Sequence, residues 1–252
     1  MSMSKPLILY HNRLDDAAPT ASTTAAGYDV DNLADWRPYT WWQPTAMPAT
    51  VTVNCGSAKP ADYALVWGHD LYSKSATLEI RGSTDNFSSS DVLVDTITPT
   101  SDDPFLLQFA SASYQYWRFK ITGAGGNPSL AIAAIGVAME MECGVELGFD
   151  PLMRRITGQS NISESGNPLG KSIAFEEWGA TLRFPQVAWT WMRTDFIPAW
   201  KAHLRSTPFV FAWDPGDHDD ELYLVTSADT LSAPHDNPDY CALSFDVRGL
   251  AL

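Results

Sequence analysis

Paired cysteines, an excess of basic residues and a long apolar run are all missing from this chain, and each absence removes a class of protein. Cys55, Cys143 and Cys241 are odd in number, widely spaced and in no C-x-x-C arrangement, so neither a disulfide framework nor a zinc site is expected. They read as three small buried hydrophobes in a reduced compartment. Lys and Arg number 16 against 30 Asp and Glu, a formal net charge of -14. Specific nucleic-acid binding is therefore not expected, because neutralising phosphates needs bases. The most apolar segment, LAIAAIGVAMEM at 130–141, is too short to span a bilayer and carries Glu140, so it reads as one or two buried strands. The opening MSMSKPLILYHN has one lysine and a four-residue apolar run, too short for a signal-peptide core, and synthesis and folding in the cytoplasm are expected.

Catalytic signatures are missing as well. The chain has no G-x-S-x-G, no Walker glycine loop, no G-x-G-x-x-G and no H-E-x-x-H among its five scattered histidines. GAGGN at 123–127 is followed by a strand-like stretch rather than a phosphate-binding helix. No enzyme activity and no cofactor are expected. The tightest acidic cluster, DPGDHDDELY, holds Asp214, Asp217, His218, Asp219, Asp220 and Glu221. Its spacing is not that of an EF-hand, and Pro-Gly-Asp are turn residues, so a solvated loop is expected there and no metal.

What is present is β pattern. VTVN, YALVWG, ATLEIRG, VLVDTI, FLLQF and YQYWRFKI, between residues 51 and 122, are rich in β-branched and aromatic residues, each bounded by turn formers. Trp117, Phe119 and Ile121 alternate with Arg118, Lys120 and Thr122, the period of a strand with one wet face. A second set follows: KSIAFEEWGATLRF at 171–184, FVFAW at 209–213, ELYLVTS at 221–227 and YCALSFDVRG at 240–249. Between them one helix is predicted over about 194–205, capped by Thr194 or Asp195, with Pro198 in its first turn and a stripe of Phe196, Ile197, Trp200 and Leu204.

The stretch DNLADWRPYTWWQP at 31–44 has no strand or helix period. Trp36, Arg37, Tyr39, Trp41 and Trp42 are residue types that close the end of a β-barrel, anchor protein interfaces, or stack on sugar faces. The glycan reading expects those rings exposed beside a polar group such as Arg37 or His69.

The runs VDNLADWRPYTWWQP, VTVNCG, YALVWGHDLYSKSATLEIRGSTD and YQYWRFKITG, within about residues 30–140, resemble a galactose-binding or discoidin-type jelly roll. LILYHNRLDDAA and PAWKAHLRSTPFVFAWDPGDHDDELYLVTSAD resemble tail-tip proteins of long-tailed bacteriophages, the distal-tail family. That family pairs a tube-like β-sandwich bearing one helix with a galactose-binding-like jelly roll, in many members in that order; here the jelly roll comes first. The resemblance implies a mainly β protein. It has a jelly roll with an N-terminal strand over 1–142 and a tube-like β-sandwich with one α-helix over 143–252. It also implies a structural virion protein of the tail tip or baseplate, assembled in the host cytoplasm as a homo-hexameric ring. Its implied partners are the tail tube, the baseplate hub and tail fibres. An acidic lumen would let DNA pass through the ring without specific binding. Carbohydrate binding for host attachment is the alternative function.

Overall fold

The computed structural model describes residues 4–123 and 125–250 and is mainly β. The chain divides into two compact units, one made of residues 11–139 and the other of the residues up to Tyr10 together with those from Glu140 onward.

The 11–139 unit is a jelly roll built on two long strands. β3 (Ala49–His69) and β6 (Phe105–Gly123) run antiparallel along most of their length. Around them lie β2 (Thr20–Ala21), β4 (Ala76–Ser83), β5 (Val92–Ile97) and β7 (Leu130–Gly136), in the order β2-β3-β6-β4-β5 with β7 on β3. VTVN and YALVWG are thus halves of one strand, as are FLLQF and YQYWRFKI. What separates the halves is a bulge: Asn54 pairs with Tyr116 but Lys59 with Tyr114, so five steps along β3 match two along β6. Gly56 takes the left-handed φ of 73° inside this bulge. The first half of β3 is flanked by β2, the second by β7. The sheet thereby wraps a core of Trp42, Trp117, Phe119, Val51, Val53, Leu78, Ile80 and Ile135, all buried. Gly82 is required where it stands, because a Cβ there would lie 2.1 Å from the Tyr114 ring.

The other unit is a seven-stranded sheet in the order β8-β1-β11-β12-β13-β10-β9. Its strands are β1 (Leu7–Leu9), β8 (Met139–Glu140), β9 (Arg155–Ile162), β10 (Pro168–Ala188), β11 (Phe209–Ala212), β12 (Leu222–Ser232) and β13 (Tyr240–Leu250). The ladders β1 to β11, β11 to β12, β12 to β13, β13 to β10 and β10 to β9 are all antiparallel. The N-terminal strand, placed by the sequence with the jelly roll, therefore belongs to this sheet: Ile8 pairs with Phe211, and Ser4 is held at the same end by Asp214. Trp178, fully buried, stacks on Tyr223 at 4.1 Å, and both side chains donate to the Pro151 carbonyl.

The helix, α1, runs over 189–204, five residues longer at its start than its sequence suggests, so Thr194 and Asp195 lie inside it and do not cap it. Thr194 Oγ1 instead donates back to the Thr190 carbonyl at 2.9 Å. Pro198 falls in the interior, where it lacks a donor and its ring crowds the preceding turn. The helix alternates α turns with wider π turns at 192–196 and 200–204, which accommodates that ring. Met192, Phe196, Ala199 and Leu204 form its buried face, while Ile197 and Trp200 are only half-buried. Phe196 and Trp200 both meet Phe245 of the sheet at 5.6 Å.

Two histidines are part of this architecture. His69 is buried, with Nε2 2.8 Å from the Asp103 carbonyl and Nδ1 accepting from the Leu71 amide, which assigns the Nε2–H tautomer. His203 lies against Tyr10 and 3.0 Å from the Pro208 carbonyl. Burial lowers the pKa of both from the ordinary 6.5.

Truncating Trp117 to Ala in the jelly-roll core is expected to cost about 3–5 kcal/mol, read from the denaturant midpoint with an unchanged slope. The depressed histidines resist protonation more in the folded than in the unfolded chain. The stability they confer is complete above 6.5 and is lost as pH falls through their folded values. Asp15, pushed up to about 6 by loss of hydration and by Asp16, acts with the opposite sign as pH rises. His69→Gln is therefore compared with the parent chain: the difference in unfolding free energy between them should shrink as pH is lowered from 7 to 5. A difference independent of pH would show that His69 does not titrate with folding.

Candidate functional site

The aromatic stretch after residue 28 is a loop that divides its rings between inside and outside. It begins with a short 3-10 turn, Val30–Ala34, and is then pinned by Asp35. That carboxylate accepts from the Arg37 amide and from Thr40 Oγ1, both at 2.8 Å. Two further ties fix the other end: Asn32 Nδ2 donates to the Trp41 carbonyl at 2.9 Å, and Trp42 exchanges backbone hydrogen bonds with Leu130 of β7 at 2.9 and 3.0 Å. A loop held at so many points presents its side chains in fixed directions.

Trp36 points inward. Its backbone takes a left-handed φ of 58°, a conformation uncommon outside Gly, Asn and Asp, and its indole is buried beside the Asp15 carboxyl. Trp42 is fully buried in the core, its indole N–H directed at the Thr23 carbonyl and Thr24 Oγ1. These two tryptophans close the end of the jelly roll, and with His69 they present nothing to a ligand. Arg37, Tyr39 and Trp41 face solvent, Tyr39 at 70% and Trp41 at 39% exposure. Trp41 is stacked on Tyr28, with ring centroids 5.6 Å apart and planes 23° from parallel. Tyr28 sits where it does because its amide closes a turn onto the Ala25 carbonyl, and Ala25 in turn donates to Gln43. The sequence reading did not single out Tyr28, which stands apart from the tryptophan run. The outcome is a well-tied loop that carries a stacked Tyr28–Trp41 pair and leaves Arg37, Tyr39 and Trp41 exposed.

The acidic loop after β11 is organised by internal contacts. Asp214 is buried and accepts from Ser4 through both its amide and hydroxyl, at 2.8 and 2.6 Å, while its carbonyl receives the amides of Asp217 and His218. His218 stacks on Trp213 at 4.8 Å, and Glu221 accepts from the Trp213 indole at 2.5 Å. Asp217, Asp219 and Asp220 are exposed. Among the described residues no three His, Cys, Asp or Glu side chains converge as a metal-ion site would require. The loop is a tie between the N-terminal strand and β11.

No family model matches the chain, and no curated protein matches it. Several solved structures are similar. Chitosan-binding module 1 of a chitosanase/glucanase from Paenibacillus sp. IK-5 is 22% identical over 50% of this chain and 98% of its own, at a TM-score of 0.43. A CBM32 module from Clostridium perfringens, solved with GalNAc-β-1,3-galactose, is 15% identical over 50% of this chain and 99% of its own, also at 0.43. The CBM32 of AlyQ, solved with 4,5-unsaturated mannuronic acid, is 22% identical over 50% and 96%, at 0.40. At these scores the likeness carries no weight for function, and the jelly-roll assignment of residues 11–139 stands on their own strand pairing and core.

Proposed function

We propose that this protein attaches to carbohydrate through the loop end of its jelly roll. The observation that carries the reading is the stacked Tyr28–Trp41 pair, exposed at its Trp41 member, on a loop that also exposes Tyr39 and Arg37. The C–H face of a sugar ring packs on an indole or phenol, and a guanidinium donates to hydroxyl or carboxylate oxygens around it. An array of bacterial surface polysaccharides and chito-oligosaccharides tests this. The parent chain should bind at least one class, and Trp41→Ala or Tyr39→Ala should weaken that binding about tenfold or more with no change in thermal unfolding. A silent parent chain, or binding indifferent to both substitutions, overturns the reading.

A second reading is a structural role in the virion: a tail-tip or baseplate protein that forms a ring joining the tail tube to the hub and holds fibres at its jelly roll. It is compatible with the first, since the attachment platform would then sit on the particle. The observation that favours it is the outer part of the β9–β10 hairpin, where every residue of β9 and of β10 from Pro168 to Glu176 is exposed. Mass spectrometry of purified tails tests it directly; absence of the chain from them would sink it.

A further inference from the structure

The wet face of the jelly-roll sheet carries one arginine that the fold holds in place and leaves without a counter-ion. Cross-strand pairing puts Thr20, Thr52, Arg118 and Arg81 in one row, with Thr50, Lys120, Glu79 and Thr96 in the next. The residues that alternate with them, Val51, Val53, Leu78, Ile80, Trp117 and Phe119, are buried in the core, so these rows point away from it. Most of the charge there is matched. Glu79 accepts from Arg81 Nη1 at 2.5 Å and from Lys120 Nζ at 3.2 Å, and Asp91 accepts from Arg81 Nε at 2.6 Å. Arg118 differs. Its Nε donates to Thr52 Oγ1 at 2.8 Å, but among the described residues no carboxylate pairs with it and nothing accepts from Nη1 or Nη2.

A phenylalanine ring clamps this guanidinium, whose carbon lies 3.5 Å from the Phe87 ring centroid. The loop between β4 and β5 puts the ring there. Asn86 and Phe87 take left-handed φ values of 57° and 61°, uncommon for a bulky residue. The Phe87 amide donates to Ser83 Oγ at 2.8 Å. Asp85 accepts from that same hydroxyl at 3.0 Å and from the amides of Ser88, Ser89 and Ser90 at 3.2, 2.9 and 3.1 Å, so its charge is engaged inside the loop. Phe87 and Arg118 are both half-buried. A guanidinium held on one face by a ring and at Nε by a hydroxyl has little freedom left to lose when a ligand arrives. Burial and the neighbouring Arg81 charge lower the pKa of Arg118 against the pull of Asp91, whereas hydrogen bonding to Asp91 raises that of Arg81. That is the contrast between an arginine lacking a counter-ion and one that has two.

The unused donors define the ligand. Nη1 and Nη2 form a two-pronged fork whose natural acceptor is a carboxylate. Hydroxyls lie along the same rows: those of Thr20 and Thr50 bond to no described residue. On the next row of the same face, the Tyr116 hydroxyl accepts from Asn54 Nδ2 and Gln115 Nε2, each at 3.4 Å, and donates to no described residue. One fork among hydroxyls matches a ring that bears one carboxylate among hydroxyls of its own. Nucleic acid fits poorly, because every nucleotide brings a phosphate to a chain at -14 that offers a single free guanidinium here.

We infer that Arg118, clamped by Phe87 and Thr52, is a binding site for the carboxylate of a uronic acid in an acidic polysaccharide, on the sheet face rather than on the loop of Trp41. Nη1 and Nη2 donate to the two carboxylate oxygens, and the flanking hydroxyls meet those of the sugar ring. The site uses none of the loop's aromatic residues, so it stands whether or not that loop binds glycan.

The test is calorimetric titration of the full chain with a galacturonic-acid oligomer and a glucuronic-acid oligomer, each beside its methyl ester. The parent should bind at least one of the acids, about tenfold or more tightly than the ester of the same oligomer. Arg118→Gln should weaken that binding about tenfold or more. Arg118→Lys keeps the charge and the stem but lacks the fork, so it should weaken binding by a similar factor even if the glutamine variant fails to fold. Trp41→Ala should leave the affinity unchanged. A parent that binds neither acid overturns the inference, as does an ester bound as tightly as its acid, or parent affinity in both arginine variants. Loss of uronate binding on Trp41→Ala also overturns it, by placing the ligand on the loop. So does a hexaglutamate peptide that binds as tightly as the sugar, since the site would then take a protein carboxylate. Loss of the glycan-array signal on Trp41→Ala with uronate binding intact would separate the two sites, so the two ideas fail independently.

Discussion

The jelly roll depends on one constraint: β3 and β6 are too long to remain in a single flat layer, and they bend together at the bulge between Asn54 and Lys59. Strands of 21 and 19 residues are several times the usual length. Their ladder is what lets the first half of β3 pair with β2 and the second half with β7, so one strand serves two edges. The buried positions follow the bend. Val51 and Val53 alternate with half-exposed neighbours in the first half, whereas Tyr63 to Trp67 form a continuous buried run in the second. A strand that is one-sided before the bulge and two-sided after it can be at the rim of the core and then at its centre.

This also explains which elements could be read from sequence. Leu78, Ile80, Trp117, Phe119 and Ile121 alternate with charged residues because their strands have one wet face, and these strands lie where the pattern places them. The apolar run at 130–136 is buried on both faces and was legible as strand from length and flanking turns. β9 was not legible at all: RITGQSNI has no period because neither of its faces meets a core. The helix start was misplaced because Pro198 reads as a first-turn residue, and local sequence does not announce that π turns will absorb it. The division at the N-terminus was hidden for a different reason, since LILY looks alike whether its partner strand is 50 residues away or 200.

The aromatic loop was legible in composition but not in disposition. Five residues were singled out together, and the structure separates them into two that plug the barrel end and three that face outward. No periodicity signals the difference, because the loop's direction is set by Asp35, Asn32 and the bridge to Leu130, contacts that depend on the folded arrangement. The two sets support each other: the buried indoles fix the backbone from which Arg37, Tyr39 and Trp41 project. A platform mounted on core-anchored residues loses little freedom on meeting a ligand, which is where loops otherwise spend affinity.

The pairing of Leu7–Leu9 with Phe209–Ala212 makes the jelly roll an insertion within the other unit's chain path. During translation the first strand emerges about two hundred residues before the strand it needs, and the intervening jelly roll has all of its own partners in hand by residue 139. The inserted unit is thus free to fold first, and once compact it shortens the effective gap across which the outer sheet must close. Until then the apolar Leu7, Ile8 and Leu9 have no sheet to join. A strand made before the jelly roll thus waits for a partner that is made after it.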